Sequence, residues 1–233
     1  MVVLLFGVSV LVFLISHCVP SNPAAANLSQ TALNDPEIVA AYEAKWGLDK
    51  PIWEQYIIYM KNILINHDLG TSIRTGRPVL DELAQYFPAT LELSVFAMLI
   101  AIVLGITFGV LSAIFQNKPL DYILRTVSVS GVSLPSFWFA LLVMNLFCNV
   151  LGIFPSGNRF NPRLFDPTGG TGFYVIDAIS WGNWALLGDV LAHLFLPALV
   201  LGANTLASMI RMSRTSMLDV IRQDYIRTAK AKG

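Results

Sequence analysis

Four stretches of this chain are apolar and long enough to cross a lipid bilayer, which takes a helix of about 20 residues. They cover approximately residues 1–19, 88–115, 123–150 and 188–212. The sequence therefore predicts an all-α fold, a polytopic transmembrane helical bundle. Between the first two spans, residues 20–87 are predicted to form a small extracytoplasmic segment of helices and loops.

The composition excludes several other classes of protein. Hydrophobic residues make up 55% of the chain and charged residues only 13%, whereas soluble domains carry about 25% charged residues. The net charge of zero argues against a nucleic-acid partner, because domains that bind nucleic acids are normally basic. No Walker A pattern, nucleophile elbow or paired-histidine motif occurs, so we predict no catalytic residue, no bound metal and no cofactor.

The first stretch, residues 1–19, has a second interpretation as a secretory signal peptide with residues 24–26 as its cleavage region. A signal peptide opens with a basic region, and this chain opens with Met1-Val2-Val3. We therefore predict an uncleaved membrane span.

The distribution of charge predicts the orientation of the spans. Residues 20–87 hold five basic and eight acidic residues, whereas residues 211–233 hold six basic and two acidic residues. Lys118 and Arg125 add positive charge at the short connection between the second and third stretches. Because basic residues accumulate on the cytoplasmic side, we expect both chain ends and this connection in the cytoplasm. Residues 20–87 and 151–187 then lie outside the cell membrane.

The segment 20–87 carries two helix-start signals, Asp35-Pro36-Glu37 and Asp49-Lys50-Pro51, in which an acidic residue precedes a proline. The second signal leads into a broad apolar stripe over residues 52–64. Two interpretations remain open. The helices either lie on the membrane surface or form an external subdomain that receives a partner or shields the translocation mouth.

Five sequence motifs resemble, in order and spacing, the dipeptide/oligopeptide/nickel permease family of ABC importers. They are GLDKPIWEQY, DLGTSIRTGRPVLDEL, PATLELS, LPALVLG and DYIRTAKAKG, and the resemblance, to the B-type subunit, covers essentially all 233 residues. It implies the type I ABC importer permease fold in the cytoplasmic (inner) membrane, with lipid around it. The implied partners are a second homologous permease subunit, two ABC ATPase subunits and an extracytoplasmic solute-binding protein.

Within that resemblance, residues 88–233 correspond to the ABC type-1 transmembrane domain, and residues 213–233 begin its cytoplasmic coupling segment. The last ten residues resemble the opening of the EAA coupling motif in its peptide-importer form, in which Ala229 and Gly233 match the motif. The residues that this resemblance implies for ATPase coupling are Asp224, Tyr225, Arg227, Thr228, Ala229, Lys230, Ala231 and Gly233. Relatives begin with a basic stub and continue through two further spans, so we expect this sequence to be a fragment or an incomplete gene model.

The third and fourth spans contain small and polar residues that are candidates for a hydrated wall of the translocation path. The candidates are Ser130, Ser133, Pro135, Ser136, Asn204 and Ser208. The alternative is that these residues let helices pack closely. Glu92 is expected to reach the outer headgroups, although an ionisable residue inside a span is also a functional candidate. For His193 we expect an interfacial hydrogen bond.

The predicted function is that of a non-enzymatic permease subunit of an ATP-driven importer of di- or oligopeptides. The same architecture also suits import of nickel chelates, glutathione or small glycosides. An alternative of another class is a membrane-anchored interaction protein without transport, and a secondary transporter ranks third. No acidic residue lies near any predicted midplane, which disfavours coupling to protons or sodium.

Overall fold

The computed structural model describes residues 1–18, 28, 33–72, 74–165 and 169–232. These residues form helices and one isolated β-bridge, between Thr71 and Pro78, which confirms the all-α class. The helices are α1 (Val2–Cys18), α2 (Pro36–Trp46), α3 (Ile52–Leu64), α4 (Val79–Ile114), α5 (Pro119–Ser133), α6 (Ser136–Met144), a π-helix (Asn145–Val150), α7 (Tyr174–Ser180), α8 (Trp184–Ile221) and α9 (Asp224–Ala231).

Two of these helices, α4 and α8, are long and apolar enough to cross a membrane, while residues 3–17 and 136–150 form shorter apolar helices. Both α4 and α8 extend well beyond the predicted spans 88–115 and 188–212. The number of spans therefore remains a prediction. The chain divides into two compact units, Met1–Tyr86 and Phe87–Gly233.

In the first unit, both predicted helix starts are found. The Asp35 carboxylate accepts a hydrogen bond from the Glu37 backbone N–H at 3.0 Å and caps α2, which has proline at its first position. Such a cap satisfies one of the free amides of the first turn. Helix α3 begins directly after Pro51 and packs on α1, where Phe13 lies edge-on to Tyr56 with a centroid distance of 5.3 Å.

In the second unit, the buried face of α4 carries a small residue at every fourth position. These residues are Ala97, Ala101, Gly105, Gly109 and Ala113. Helix α8 packs directly on this face: a Cβ added at Gly105 would lie 2.5 Å from the Met209 Cβ. Conversely, a Cβ added at Gly202 of α8 would lie 2.7 Å from the Ala97 carbonyl oxygen. The two helices are thus in backbone contact, as small residues permit in membrane bundles.

The third predicted span is broken into two helices at Pro135. Helix α5 ends at Ser133, Leu134 is extended (φ −88°, ψ 137°), and α6 begins at Ser136. The break has a local cause, because proline forces the residue before it out of the helical region. The π-helix then follows α6 without interruption, so the second half of this stretch has irregular geometry at both ends.

Candidate functional site

A buried carboxylate, Asp121, joins three helices of the second unit. Arg214 of α8 donates to its two oxygens at 3.0 and 3.1 Å, and Arg125 of α5 donates to the same oxygens at 3.1 and 2.9 Å. The Ser112 hydroxyl of α4 and the Asn117 backbone N–H also donate to it. We call these five residues the Asp121 cluster. The Asp121 side chain has no exposed surface, so every contact that stabilises its charge comes from the protein.

The cluster keeps Asp121 ionised. Burial alone would raise the pKa of Asp121, but the hydrogen bonds from Arg214, Arg125 and Ser112 outweigh it and hold that pKa well below its usual range. Because the folded-state pKa is lowered, the stabilisation is fully present above the pKa of an unfolded aspartate, about 3.9. It is lost only as the pH falls below that value, so the cluster stays charged at neutral and mildly acidic pH.

Seven of the eight predicted coupling residues fall on a separate short helix, α9, which follows α8 after a break at Arg222 and Gln223, and Gly233 lies outside the described residues. Its Tyr225 is 57% exposed, and Thr228 and Ala231 are also exposed. The surroundings of four predicted residues lie outside the described side chains: Arg227, Ala229, Lys230 and Gly233. Within the described part, α9 therefore presents a surface able to meet a partner.

Two of the six candidates for the translocation path line one groove between α6 and α8. The groove has a volume of about 700 Å³, and Ser136 and Asn204 lie in its lining together with the side chains of Cys148, Asn158 and His193. The rest of the lining is mainly apolar. Such a surface, apolar with a few convergent polar groups, is typical of ligand-binding clefts.

Three of the other four path candidates lie elsewhere. Ser130 lines a separate cavity of about 340 Å³ between α5 and α8, and Pro135 marks the break between α5 and α6. The Ser208 hydroxyl donates to the Asn204 carbonyl within α8. Ser133 ends α5, but its side chain lies outside the described ones. The five candidates whose side chains the structure describes therefore do not form one continuous wall.

Glu92 is paired inside the protein, so the expectation that it reaches the headgroups is wrong. It is 6% exposed, its Oε2 accepts from Arg159 at 2.7 Å, and its Oε1 accepts from the Val175 backbone N–H at 2.7 Å. The Arg159 guanidinium lies 3.9 Å from the Tyr174 ring centroid and donates to the Gly172 carbonyl. A buried charge needs such partners, and this pair fastens the segment between α6 and α8 to α4.

His193 faces the protein interior as well. Its side chain is 7% exposed, and its Nδ1 lies 2.8 Å from the Asp189 carbonyl oxygen one turn earlier in α8. This hydrogen bond is internal to the helix, and the interfacial bond expected from the sequence stays a prediction. Among the side chains that the structure describes, no group of three or more His, Cys, Asp or Glu could hold a metal ion.

Comparison with known proteins identifies the class. Residues 105–233 match the family described as "Binding-protein-dependent transport system inner membrane component", and residues 1–94 match its N-terminal family. The chain belongs to this family. It is a permease component of an ABC transport system, a transport protein rather than an enzyme, which confirms the predicted class. Membership implies partners of two kinds, an ATPase and a binding protein.

Individual relatives agree with the family. The probable D,D-dipeptide transport system permease protein DdpB of Escherichia coli (strain K12) is 44% identical over 100% of this chain and 68% of its own length. The dipeptide transport system permease protein DppB of Alkalihalophilus pseudofirmus is 43% identical over 98% of this chain and 68% of its own. The glutathione transport system permease protein GsiC of Escherichia coli O6:H1 is 35% identical, over 98% and 64% respectively.

Sequence reasoning found the segment that became α9 but missed the Asp121 cluster. The available signal was Asp121 and Arg125 at i, i+4 next to the predicted cytoplasmic connection, a spacing that places both on one helix face. Arg214, the other arginine of the cluster, is 93 residues away from Asp121 in the sequence. Only the packing of α8 on α5 brings the two side chains together.

Proposed function

We propose that this chain is the permease subunit of an ATP-driven importer of short peptides. The relatives with 38–44% identity are named as permeases of dipeptide, D,D-dipeptide or di/tripeptide transport systems. Those named for glutathione, itself a small peptide, are 34–35% identical. The ranking of identities therefore favours unmodified di- and tripeptides over glutathione as substrates.

In the proposed assembly, this subunit pairs with a second homologous permease. Two ABC ATPase subunits bind the cytoplasmic side, and a solute-binding protein delivers peptide from the outside. The excess of six basic over two acidic residues in 211–233 supports a cytoplasmic position for α9, because basic residues accumulate on that side.

The observation that carries this proposal is α9 itself, a short exposed helix at the end of the long apolar helix α8. A helix in that position offers a rigid shape to a groove on an ATPase. Movement of the ATPase then acts on α8 through α9. Alternating access requires two conformations of the permease, one open to each side of the membrane. It follows if these conformations differ in their affinity for peptide and for the nucleotide-bound ATPase.

The test uses the complete transporter in vesicles, with peptide uptake, ATP hydrolysis and ATPase pull-down measured side by side. We expect Ala229→Glu and Ala231→Glu to lower uptake and substrate-stimulated hydrolysis at least about tenfold, ~1.4 kcal/mol, by placing an unpaired charge in the contact. Arg222→Ala, in the break before α9, is the control and should retain most activity. Normal coupling in both Glu variants would contradict the role of α9.

Substrate is tested in the same vesicles by competition. We expect unlabelled di- and tripeptides to compete with a labelled dipeptide more strongly than glutathione does. Uptake of glutathione without uptake of dipeptides would refute the peptide preference while leaving the permease function intact.

A further inference from the structure

The two arginines of the Asp121 cluster make the same contacts but connect different parts of the molecule. Arg125 belongs to α5, as Asp121 does, and stands four residues away, so its ion pair stays within one helix. Arg214 belongs to α8 and pairs with Asp121 across the helix interface. Of these two ion pairs, only the Arg214 pair therefore links α5 to α8.

The position of Arg214 places this cross-helix pair close to α9. It lies in the polar end of α8, between the apolar stretch and α9. At the same level, α4 and α8 are in direct contact, because a Cβ added at Gly109 would lie 2.5 Å from the Ser213 Cβ and 3.1 Å from the Arg214 backbone nitrogen. The Ser112 hydroxyl of α4 donates to Asp121 in the same cluster.

We propose that the Arg214–Asp121 pair is the connection through which a displacement of α9 and the end of α8 is transmitted to α4 and α5. Arg214 and Asp121 are positioning residues for transport in this view. The inference rests on the proposed function, since it assumes that α9 receives the ATPase movement. It adds the residues that carry this movement into the bundle.

The physical reason is the high cost of separating these groups. Asp121 has no exposed surface, so water cannot replace Arg214 if α8 slides alone. Breaking one side of a buried ion pair is strongly unfavourable. The helices then move together, whereas a contact between apolar surfaces alone would permit sliding. Arg125 remains on the carboxylate when Arg214 is removed, so the charge keeps a partner and the chain can still fold.

The test compares Arg214→Gln with Arg125→Gln in the complete transporter in vesicles. Both variants remove one guanidinium from the same carboxylate. For Arg214→Gln we expect normal ATPase binding and retained substrate-stimulated hydrolysis, but about tenfold less peptide imported per ATP, within the usual range of coupling energies. For Arg125→Gln, whose side chain is 45% exposed, the ratio should change by less than about twofold.

Two further variants complete the series. Asp121→Asn should reproduce the low ratio of Arg214→Gln, and Arg214→Lys, which keeps the charge without the two-pronged geometry, should fall in between. An unchanged ratio in Arg214→Gln overturns the proposal, as does an equal loss in Arg125→Gln. A parallel loss of assembly, hydrolysis and uptake in Arg214→Gln and Arg214→Lys also overturns it, by showing a purely structural role. Absence of coupled uptake in the unsubstituted transporter overturns the proposed function, and this inference with it.

Discussion

From the close contact between α4 and α8 we predict that adding a single methyl group at Gly109 destabilises the protein. Gly109 of α4 faces α8, where an added Cβ would lie 2.5 Å from the Ser213 Cβ and 2.9 Å from the Ile210 carbonyl oxygen. Gly188 near the start of α8 is the matched control, because an added Cβ there meets no atom within 4 Å. Both glycines are inside long helices, so the substitutions Gly109→Ala and Gly188→Ala differ mainly in the space available.

The two opposing effects can be weighed. Replacing glycine by alanine within a helix stabilises it by about 1 kcal/mol. Overpacking a close contact costs about 1–3 kcal/mol. At Gly109 the helices must separate by about 1 Å to restore an ordinary carbon–carbon distance of ~3.5 Å. The contacted groups are backbone atoms and a Cβ, which cannot rotate away. The overpacking cost at Gly109 is therefore at the upper end of this range, about 3 kcal/mol. Gly109→Ala should therefore destabilise by about 2 kcal/mol and Gly188→Ala stabilise by about 1 kcal/mol.

The assay is thermal unfolding of the purified, assembled transporter. The measured quantity is the fraction of protein that remains monodisperse after heating to each temperature. With a Tm change of about 2–4 °C per kcal/mol for a chain of this size, Gly109→Ala should lower Tm by about 4–8 °C and Gly188→Ala should raise it by about 2–4 °C. Gly105→Ala should lie between them, since the added Cβ meets one hard contact, at Met209. Equal Tm shifts for Gly109→Ala and Gly188→Ala would refute the close approach of α4 and α8.

Two other predictions concern the groove and the topology. Ser136→Phe, in the groove lining, should reduce peptide uptake while ATPase binding persists. The control Thr205→Phe, next to Asn204 but outside that lining, should leave peptide uptake unchanged. Equal uptake in both variants would show that the groove is not the translocation path. In a background lacking Cys18 and Cys148, an impermeant thiol reagent on intact cells should label Ser72→Cys and spare Ser216→Cys, and the reverse pattern would invert the proposed orientation.

Features set by a few neighbouring residues were predictable from the sequence. The start of α2 follows from the Asp35 cap and the proline at its first position, whereas α3 begins directly after Pro51 without a side-chain cap. These effects on the first helical turn are local. The same holds for α9, because its eight residues have a helix-prone composition. Hydropathy located the apolar cores of α4 and α8 but not their ends, because residues 79–87 and 213–221 are helical without being uniformly apolar.

The small-residue face of α4 is visible in the sequence as a repeat of four residues, whereas the predicted path residues all belong to the third and fourth spans. In the third span, the Ser128 hydroxyl donates within its own helix although Ser128 lines the same cavity as Ser130, and Ser136 lines a different groove. A serine's hydroxyl suits either environment, since it can bond to its own helix or to water. The residue type alone therefore does not distinguish a serine that packs between helices from a serine that lines the translocation path.

Asp121 shows most clearly why part of the site escapes sequence reasoning. In the sequence, Asp121 lies beside Lys118 and Arg125, and that group of charges has a sufficient explanation in the positive-inside rule. Nothing local requires the carboxylate to be buried. Its burial becomes favourable only when Arg214 arrives from α8 and Ser112 from α4, because a desolvated charge without several donors is strongly disfavoured. The three helices must therefore be packed before the cluster can exist, and the cluster in turn opposes their separation. A group with that mutual dependence belongs to the tertiary structure and leaves no local signal in the sequence.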